Sequence, residues 1–143
     1  VSGILQTLTV SFKRELFCGF HAFDSEYRTA DTFYIALYNA PTTLDYTITA
    51  YTTTGEASGY GYTAGGQQIL PTTPAIYATT AAGVNFGVVT WTNSTITANC
   101  ALIYNQTQNN RSVCVLSFGN FKYSSNNSFV VTPPVSGVLM GIN

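Results

Sequence analysis

Thr32-Phe33-Tyr34-Ile35-Ala36-Leu37-Tyr38 alternates with a period of two. Phe33, Ile35 and Leu37 fall on one face; Tyr34, Ala36 and Tyr38 fall on the other. In an extended chain successive side chains point to opposite faces, so one apolar set is expected on each side. A strand that is apolar or amphipathic on both faces reads as an inner strand, covered above and below. This stretch therefore predicts a β protein with layers on both sides of a central sheet.

The same period recurs toward the carboxyl end. Thr95–Asn105 places Ile96, Ala98, Cys100, Leu102 and Tyr104 on one face, and Ser112–Gly119 is rich in Val, Cys, Leu and Phe. The polar residues from Asn105 to Arg111 join these two as a hairpin loop. Val84–Thr92, which carries the single Trp, reads as another strand. Ser128–Thr132 and Gly137–Ile142 read as two more, separated by Pro133-Pro134. Toward the amino end, Ser11–Gly19 breaks the pattern. Phe12, Leu16 and Gly19 are spaced i, i+4, i+7, with Ser11 as a candidate N-cap and Gly19 as a candidate C′ residue. It predicts one short helix.

Gly55, Gly59, Gly61, Gly65 and Gly66 fall within twelve residues. A phosphate-cradling loop needs a strand–loop–helix context, usually with a Lys, and neither is present. Tight turns and a bulged edge strand fit the glycines instead. Many short strands separated by Gly, Pro and Asn turns predict a mainly β fold: an antiparallel β-sandwich or barrel-like sandwich with one short N-terminal helix. The expected organisation is an N-terminal arm, residues 1–10, followed by a single β-sandwich domain, residues 11–143.

Charge is scarce. Eleven of 143 residues are charged, 8%, and the net charge is −1; a typical soluble domain carries about 25%. Eight of the eleven lie in the first 45 residues, and Ala57 to Asn110 holds none over 54 residues. Thr, Ser, Asn and Gln together make 49 residues. So few basic residues exclude the electrostatic footprint of a nucleic-acid binder. A near-neutral surface favours association, and interface cores are poor in Lys, Glu and Asp and rich in aromatics. No run of 18 apolar residues exists to span a membrane as a helix. No secretory signal is expected at an amino end without a basic stretch or a long apolar segment.

The residues for chemistry are few. His21 is the single histidine, with Asp24 and Asp31 nearby, but no nucleophile elbow accompanies it. It reads as a hydrogen-bonded structural residue. Glu15, Asp24, Glu26 and Asp31 cluster near the short helix and are expected to pair with Lys13, Arg14 and Arg28 rather than to flank a glycosidic bond. No calcium loop and no usual zinc set occur. Cys18, Cys100 and Cys114, an odd number without a C-x-x-C, are expected to be buried free thiols. The Asn-x-Ser/Thr sites at Asn93, Asn105, Asn110 and Asn126 barely exceed chance. No enzyme activity and no catalytic, metal or cofactor residue is therefore expected. Tyr27, Tyr46, Tyr51, Tyr60, Tyr62, Tyr77 and Tyr123 lie in or beside loops. Three uses stay open for them: hydroxyls capping strand ends, subunit contact, or stacking on sugars.

Several segments in one order carry a resemblance: Phe12-Lys13-Arg14-Glu15-Leu16 with Gly19 and His21, then Asp31–Tyr38, Ala50–Gly59, Gly61–Gly66, Val89–Ala98, Ala101–Asn105 and Asn110–Gly119. Over about residues 11–135 the chain resembles a family of small virion structural proteins of tailed bacteriophages. The resemblance implies an accessory subunit of the phage particle, assembled in the host bacterial cytoplasm. It points first to a decoration or cement protein on the outer surface of the major capsid shell. It also implies a homotrimer at threefold points between capsomers, with the major capsid protein as partner and no nucleic acid, membrane or cofactor. A tail or baseplate component is the first alternative and a carbohydrate-binding host-adhesion module the second. Residues 1–10 lie outside the resemblance. Ile4, Leu5, Leu8 and Val10 are candidates for adding a strand to a neighbouring capsid subunit. Tyr60, Tyr62, Gln67, Gln68 and Tyr77 are the candidates for subunit or glycan contact in the charge-free span.

Overall fold

The computed structural model describes residues 7–39, 44–133 and 140–142, and the side chains of all of these except 77, 78 and 140–142. In chain order the elements are β1 (Thr7–Leu8), α1 (Val10–Phe17), β2 (Phe33–Tyr38), β3 (Gln67–Ile69), β4 (Ala75–Ala78) and β5 (Ala81–Val84). They continue with β6 (Val89–Ser94), β7 (Thr97–Asn105), β8 (Arg111–Tyr123), β9 (Asn127–Val131) and β10 (Met140–Ile142). The main sheet has the order β1-β8-β7-β2-β3, and smaller sheets form from β10-β5-β4 and β6-β9. Every pairing among these strands is antiparallel. The fold is mainly β and sandwich-like, with one short N-terminal helix, as the sequence predicts.

β2 is an inner strand with a distinct set of neighbours on each face. Phe33, Ile35 and Leu37 enter a large apolar cluster with Trp91 of β6, Phe129 and Val131 of β9, Val84 of β5 and Phe86. Ala36 and Tyr38 enter a second cluster with Cys100, Leu102 and Tyr104 of β7, Val115 of β8 and Leu44. The first cluster lies between the main sheet and the two smaller ones. The second is covered by the segment after β2, through Leu44, Ile48 and Tyr51. Phe23 stacks on Phe33 at 4.8 Å between centroids, and Phe86 meets both edge-on. Ring pairs of this kind add to area burial.

Several sequence expectations are corrected. The Thr95–Asn105 stretch does not keep one face: Ile96, just before β7, and Ala98 belong to the first cluster and Cys100, Leu102 and Tyr104 to the second. The β7–β8 ladder loses register between Ala98 and Cys100, and the alternation switches there: Ala98 before the break and Ala101 and Ile103 after it face the first cluster. Val84–Thr92 is two strands rather than one, because Pro71 bridges to Phe86 and Gly87 donates to Leu70 O between them. Cys18 is exposed, whereas Cys100 and Cys114 are the buried free thiols expected.

The helix starts one residue earlier than its predicted cap. Thr9, not Ser11, is the N-cap, since its N–H bonds Val113 O at 3.1 Å and its Oγ1 accepts from Phe12 N–H at 3.3 Å. One residue thus ends the strand and opens the helix. At the other end Gly19, at φ +68°, donates to Leu16 O while Phe20 donates to Glu15 O. That is the double bond of a Schellman stop, and glycine adopts it without steric cost. Thr9→Ala is expected to cost about 1–2 kcal/mol in urea unfolding, and an unchanged midpoint would refute the capping role.

The arm at residues 1–10 is also revised. Thr7 pairs with Val115 and Leu8 with Cys114 in the chain's own main sheet, and Val10 is the first residue of α1. Leu8 packs against the large core cluster. Leu8 and Val10 therefore belong to the folded unit rather than to a free strand. Ile4 and Leu5 lie outside the described residues.

Candidate interaction surface

The exposed edge of β2 is shared by two segments. β3 pairs Ile69, Gln68 and Gln67 with Phe33, Tyr34 and Ile35. Beyond it, Ala57 N–H donates to Leu37 O and Asn39 N–H to Gly55 O. The loop between these segments must turn back tightly, which explains the glycines. One acid holds it. Glu56 Oε2 accepts from Tyr51 OH at 2.6 Å, and Oε1 accepts from Tyr62 OH at 2.7 Å and from Gly65 N–H at 2.6 Å. Tyr62 OH in turn accepts from Leu37 N–H at 2.9 Å, and Tyr104 OH donates to Gly65 O at 2.7 Å. Burial, reinforced for Tyr51 by its hydrogen bond to Glu56, raises the phenols of Tyr51 and Tyr62 beyond their ordinary range. These hydroxyls work as donors.

This geometry sorts the candidate residues. Tyr62 is turned inward, its ring 6.0 Å from that of Trp91 and its hydroxyl committed to Glu56. Gln67 Nε2 donates to Thr90 O at 2.8 Å, tying β3 to β6. Gln68 is exposed on the sheet edge. Tyr60 stands out at 73% exposure from a loop lying against the β6–β7 turn, where Thr95 N–H donates to Tyr60 O. Tyr77 belongs to β4, and its side chain lies outside the described residues. Tyr60, Tyr62, Gln67 and Gln68 thus do not assemble into one exposed platform.

Among its exposed hydroxyl and amide side chains the charge-free span also presents large aliphatic ones. Leu70, Ile76 and Val88 are 65%, 84% and 58% exposed. Leu70 and Val88 flank the hydrogen bond from Gly87 N–H to Leu70 O. A further groove of about 400 Å³ runs between β8 and β9, lined by Leu116, Phe118, Lys122, Tyr123, Val130 and Pro133 among others. Single exposed apolar residues are ordinary on a protein surface; these three fall within one uncharged stretch of sequence, and Lys122 lines the groove.

Four of the charged residues, Glu15, Arg28, Asp31 and Arg111, gather in a network around the buried His21. His21 Nε2 lies 2.9 Å from Glu15 Oε2, and Asn105 Nδ2 lies 3.0 Å from His21 Nδ1 and 2.8 Å from Asp31 Oδ2. Arg111 pairs with Glu15, and Arg28 with Asp31 at 3.3 Å. His21 is the hydrogen-bonded structural residue expected of it. The expected local pairing of charges holds for Asp31 but not for Glu15, whose cation comes from 96 residues away. Burial pushes the Asp31 carboxyl up, but hydrogen bonds from Asn105, Ala22, Gln108 and Arg28 outweigh it and hold it below the ordinary value. Among the described residues no group of three or more His, Cys, Asp or Glu gathers to hold a metal, and no helix is long and apolar enough to cross a membrane.

Sequence reasoning missed Glu56, Asn105 and Arg111 as organising residues. Glu56 had one signal: it is the last charge before 54 uncharged residues and has tyrosines five and six positions away. No protein-family model, no curated protein and no solved structure matches the chain.

Proposed function

We propose that the chain is a structural subunit of a bacteriophage particle, a decoration protein that sits in threes on the outer surface of the capsid shell between capsomers. The resemblance over about residues 11–135 supports the particle. The single observation that carries the binding role is that Tyr60, Leu70, Ile76 and Val88 stand exposed within a stretch of 54 residues that holds no charge. Uncharged side chains of this kind lose their water at lower cost against a neighbour than ionic groups do. Three copies acting together reach high occupancy from modest individual contacts.

Quantitative mass spectrometry of the purified virion tests the reading. Hundreds of copies, cross-linked to the major capsid protein, are expected. A few to tens of copies move the subunit to the tail or baseplate, and none overturns the proposal. Within the expected outcome, Leu70→Lys or Val88→Lys should change stability by about 0.5 kcal/mol or less. The same changes should lower shell occupancy about tenfold or more, since a buried unpaired charge is strongly unfavourable. Unchanged occupancy for both would remove this face from the contact.

A further inference from the structure

The hydrogen-bond directions around His21 are fully determined by its neighbours. Asn105 Oδ1 accepts from Gln108 N–H at 3.1 Å, a donor that cannot reverse. Asn105 Nδ2 faces Asp31 Oδ2, which also accepts from Ala22 N–H at 2.8 Å. The amide is therefore held in one orientation, with its NH2 group toward His21 Nδ1. A nitrogen facing a donor must itself be the acceptor. On the far side of the ring, Nε2 faces the Glu15 carboxylate, whose other oxygen takes Arg111 Nε–H at 2.6 Å. The imidazole is thus neutral, with its proton on Nε2.

We infer that this network is an acid-sensitive clasp, closed while His21 is neutral and opened when His21 takes a second proton. Protonating Nδ1 places two donors against each other. Rotating the Asn105 amide does not relieve this, because its oxygen would then face Asp31 and its NH2 would face Gln108 N–H. Electrostatics add to the conflict. Glu15 from α1, Asp31 and Arg28 from the segment before β2, and Arg111 from β8 already balance, two charges of each sign, so an imidazolium adds an unbalanced one. The Phe12 and Phe20 rings, 4.9 and 5.4 Å from the imidazole, complete an apolar wall that excludes water. Burial lowers the histidine's affinity for a proton, and this outweighs the attraction of Glu15 and Asp31.

The clasp joins α1 through Glu15 to the β7–β8 turn through Asn105 and Arg111. Opening it loosens the helix and the β1 strand continuous with it. His21 has its folded value lowered from 6.5. Its contribution is therefore complete above pH 6.5 and is lost as pH falls toward and through the folded value. Over that interval the unfolding constant should rise up to about tenfold per pH unit. Asp31, lowered from 3.8, acts only at more acid pH and leaves the window between 5 and 7 to the histidine.

The test is hydrogen exchange and urea unfolding of the full chain between pH 7.5 and 5, in wild type and His21→Gln. Wild type is expected to lose protection in 8–17 and 105–111 as pH falls, after correction for intrinsic exchange, and His21→Gln to show no such dependence whatever its own stability. A pH dependence that persists in His21→Gln, or none in wild type, overturns the clasp. Because the chain has a single histidine, its ring nitrogens give an unambiguous NMR readout in wild type. An unprotonated Nδ1 at pH 7.5 supports the clasp; an Nδ1–H tautomer, or a cation at pH 6.5, refutes it.

Discussion

Gly66→Ala is expected to abolish the folded state. Gly66 has φ +74°, and a Cβ built there would lie 1.8 Å from Ile35 O, 2.6 Å from its carbonyl carbon and 2.9 Å from Ala36 Cα. All three atoms are backbone, at the centre of β2. They cannot retreat, because Ile35 and Ala36 are laddered to Ile103 and Leu102 on the other side. A loss above about 5 kcal/mol is expected, against a total stability of about 5–15 for a domain. Soluble yield, far-ultraviolet circular dichroism and a dispersed NMR spectrum would report it. Gly19→Ala is the comparison: φ is +68°, but nothing lies within 4 Å of the added methyl. That change should cost only the local left-handed penalty of about 1–2 kcal/mol. If both variants unfold at similar denaturant concentrations, close approach to β2 is not what requires Gly66.

Glu56→Ala is expected to cost about 3–5 kcal/mol, built from three donors left without their acceptor at about 1–3 kcal/mol each, partly relieved by water reaching Tyr51. The donors are Tyr51 OH, Tyr62 OH and Gly65 N–H. Glu56→Gln separates hydrogen bonding from charge. Its oxygen can still serve Tyr62 and Gly65, and its amide can donate to the Tyr51 hydroxyl. The loss should then be about 1–2 kcal/mol, the difference between charge-assisted and neutral bonds. Urea midpoints give the ranking, and equal losses for Ala and Gln would show that the carboxylate's bonds do not hold the loop. Tyr60 sits on the same loop, so Glu56→Ala should also reduce shell occupancy if that loop meets the capsid.

The fold was legible where two periodicities were clean. Thr32–Tyr38 alternates without interruption, and the strand occupies six of those seven positions with the expected residues on each face. The β7–β8 hairpin follows its polar turn, and the helix stop follows Gly19. What escaped was non-local. Which residue caps α1 depends on a carbonyl of β8 more than a hundred positions away. Whether Ala98 shares a face with Cys100 depends on where the neighbouring strand slips register. β3, β4 and β5 are three or four residues each, too short for a period to rise above the surrounding turns.

The candidate surface was only partly legible for the same reason. Tyr60 and Tyr62 look alike on paper, both preceded by glycine. Glu56 makes them different by capturing one hydroxyl and leaving the other ring in solvent. Leu70, Ile76 and Val88 carry no motif, and their exposure follows from their place in the folded sheets. The uncharged stretch was visible in the sequence; which of its apolar residues stand exposed was not.

The pairing of β1 with β8 has a consequence for how the chain is made. Thr9 bonds Val113 O and shares hydroxyl contacts with Ser112, 103 residues later. Of the described elements, β1 is synthesised before the others and waits longest for its partner. At about 5–20 residues per second of synthesis, the amino-terminal segment waits on the order of 5–20 seconds for its partner to leave the ribosome. Through that interval Phe12 is exposed and Glu15 has no Arg111 beside it. Folding dominated by such distant pairings runs in about milliseconds to seconds, slow for a chain of this size. Docking of the amino-terminal segment is thus set by the arrival of β8, and a nascent chain truncated before Arg111 should remain unfolded at its amino end.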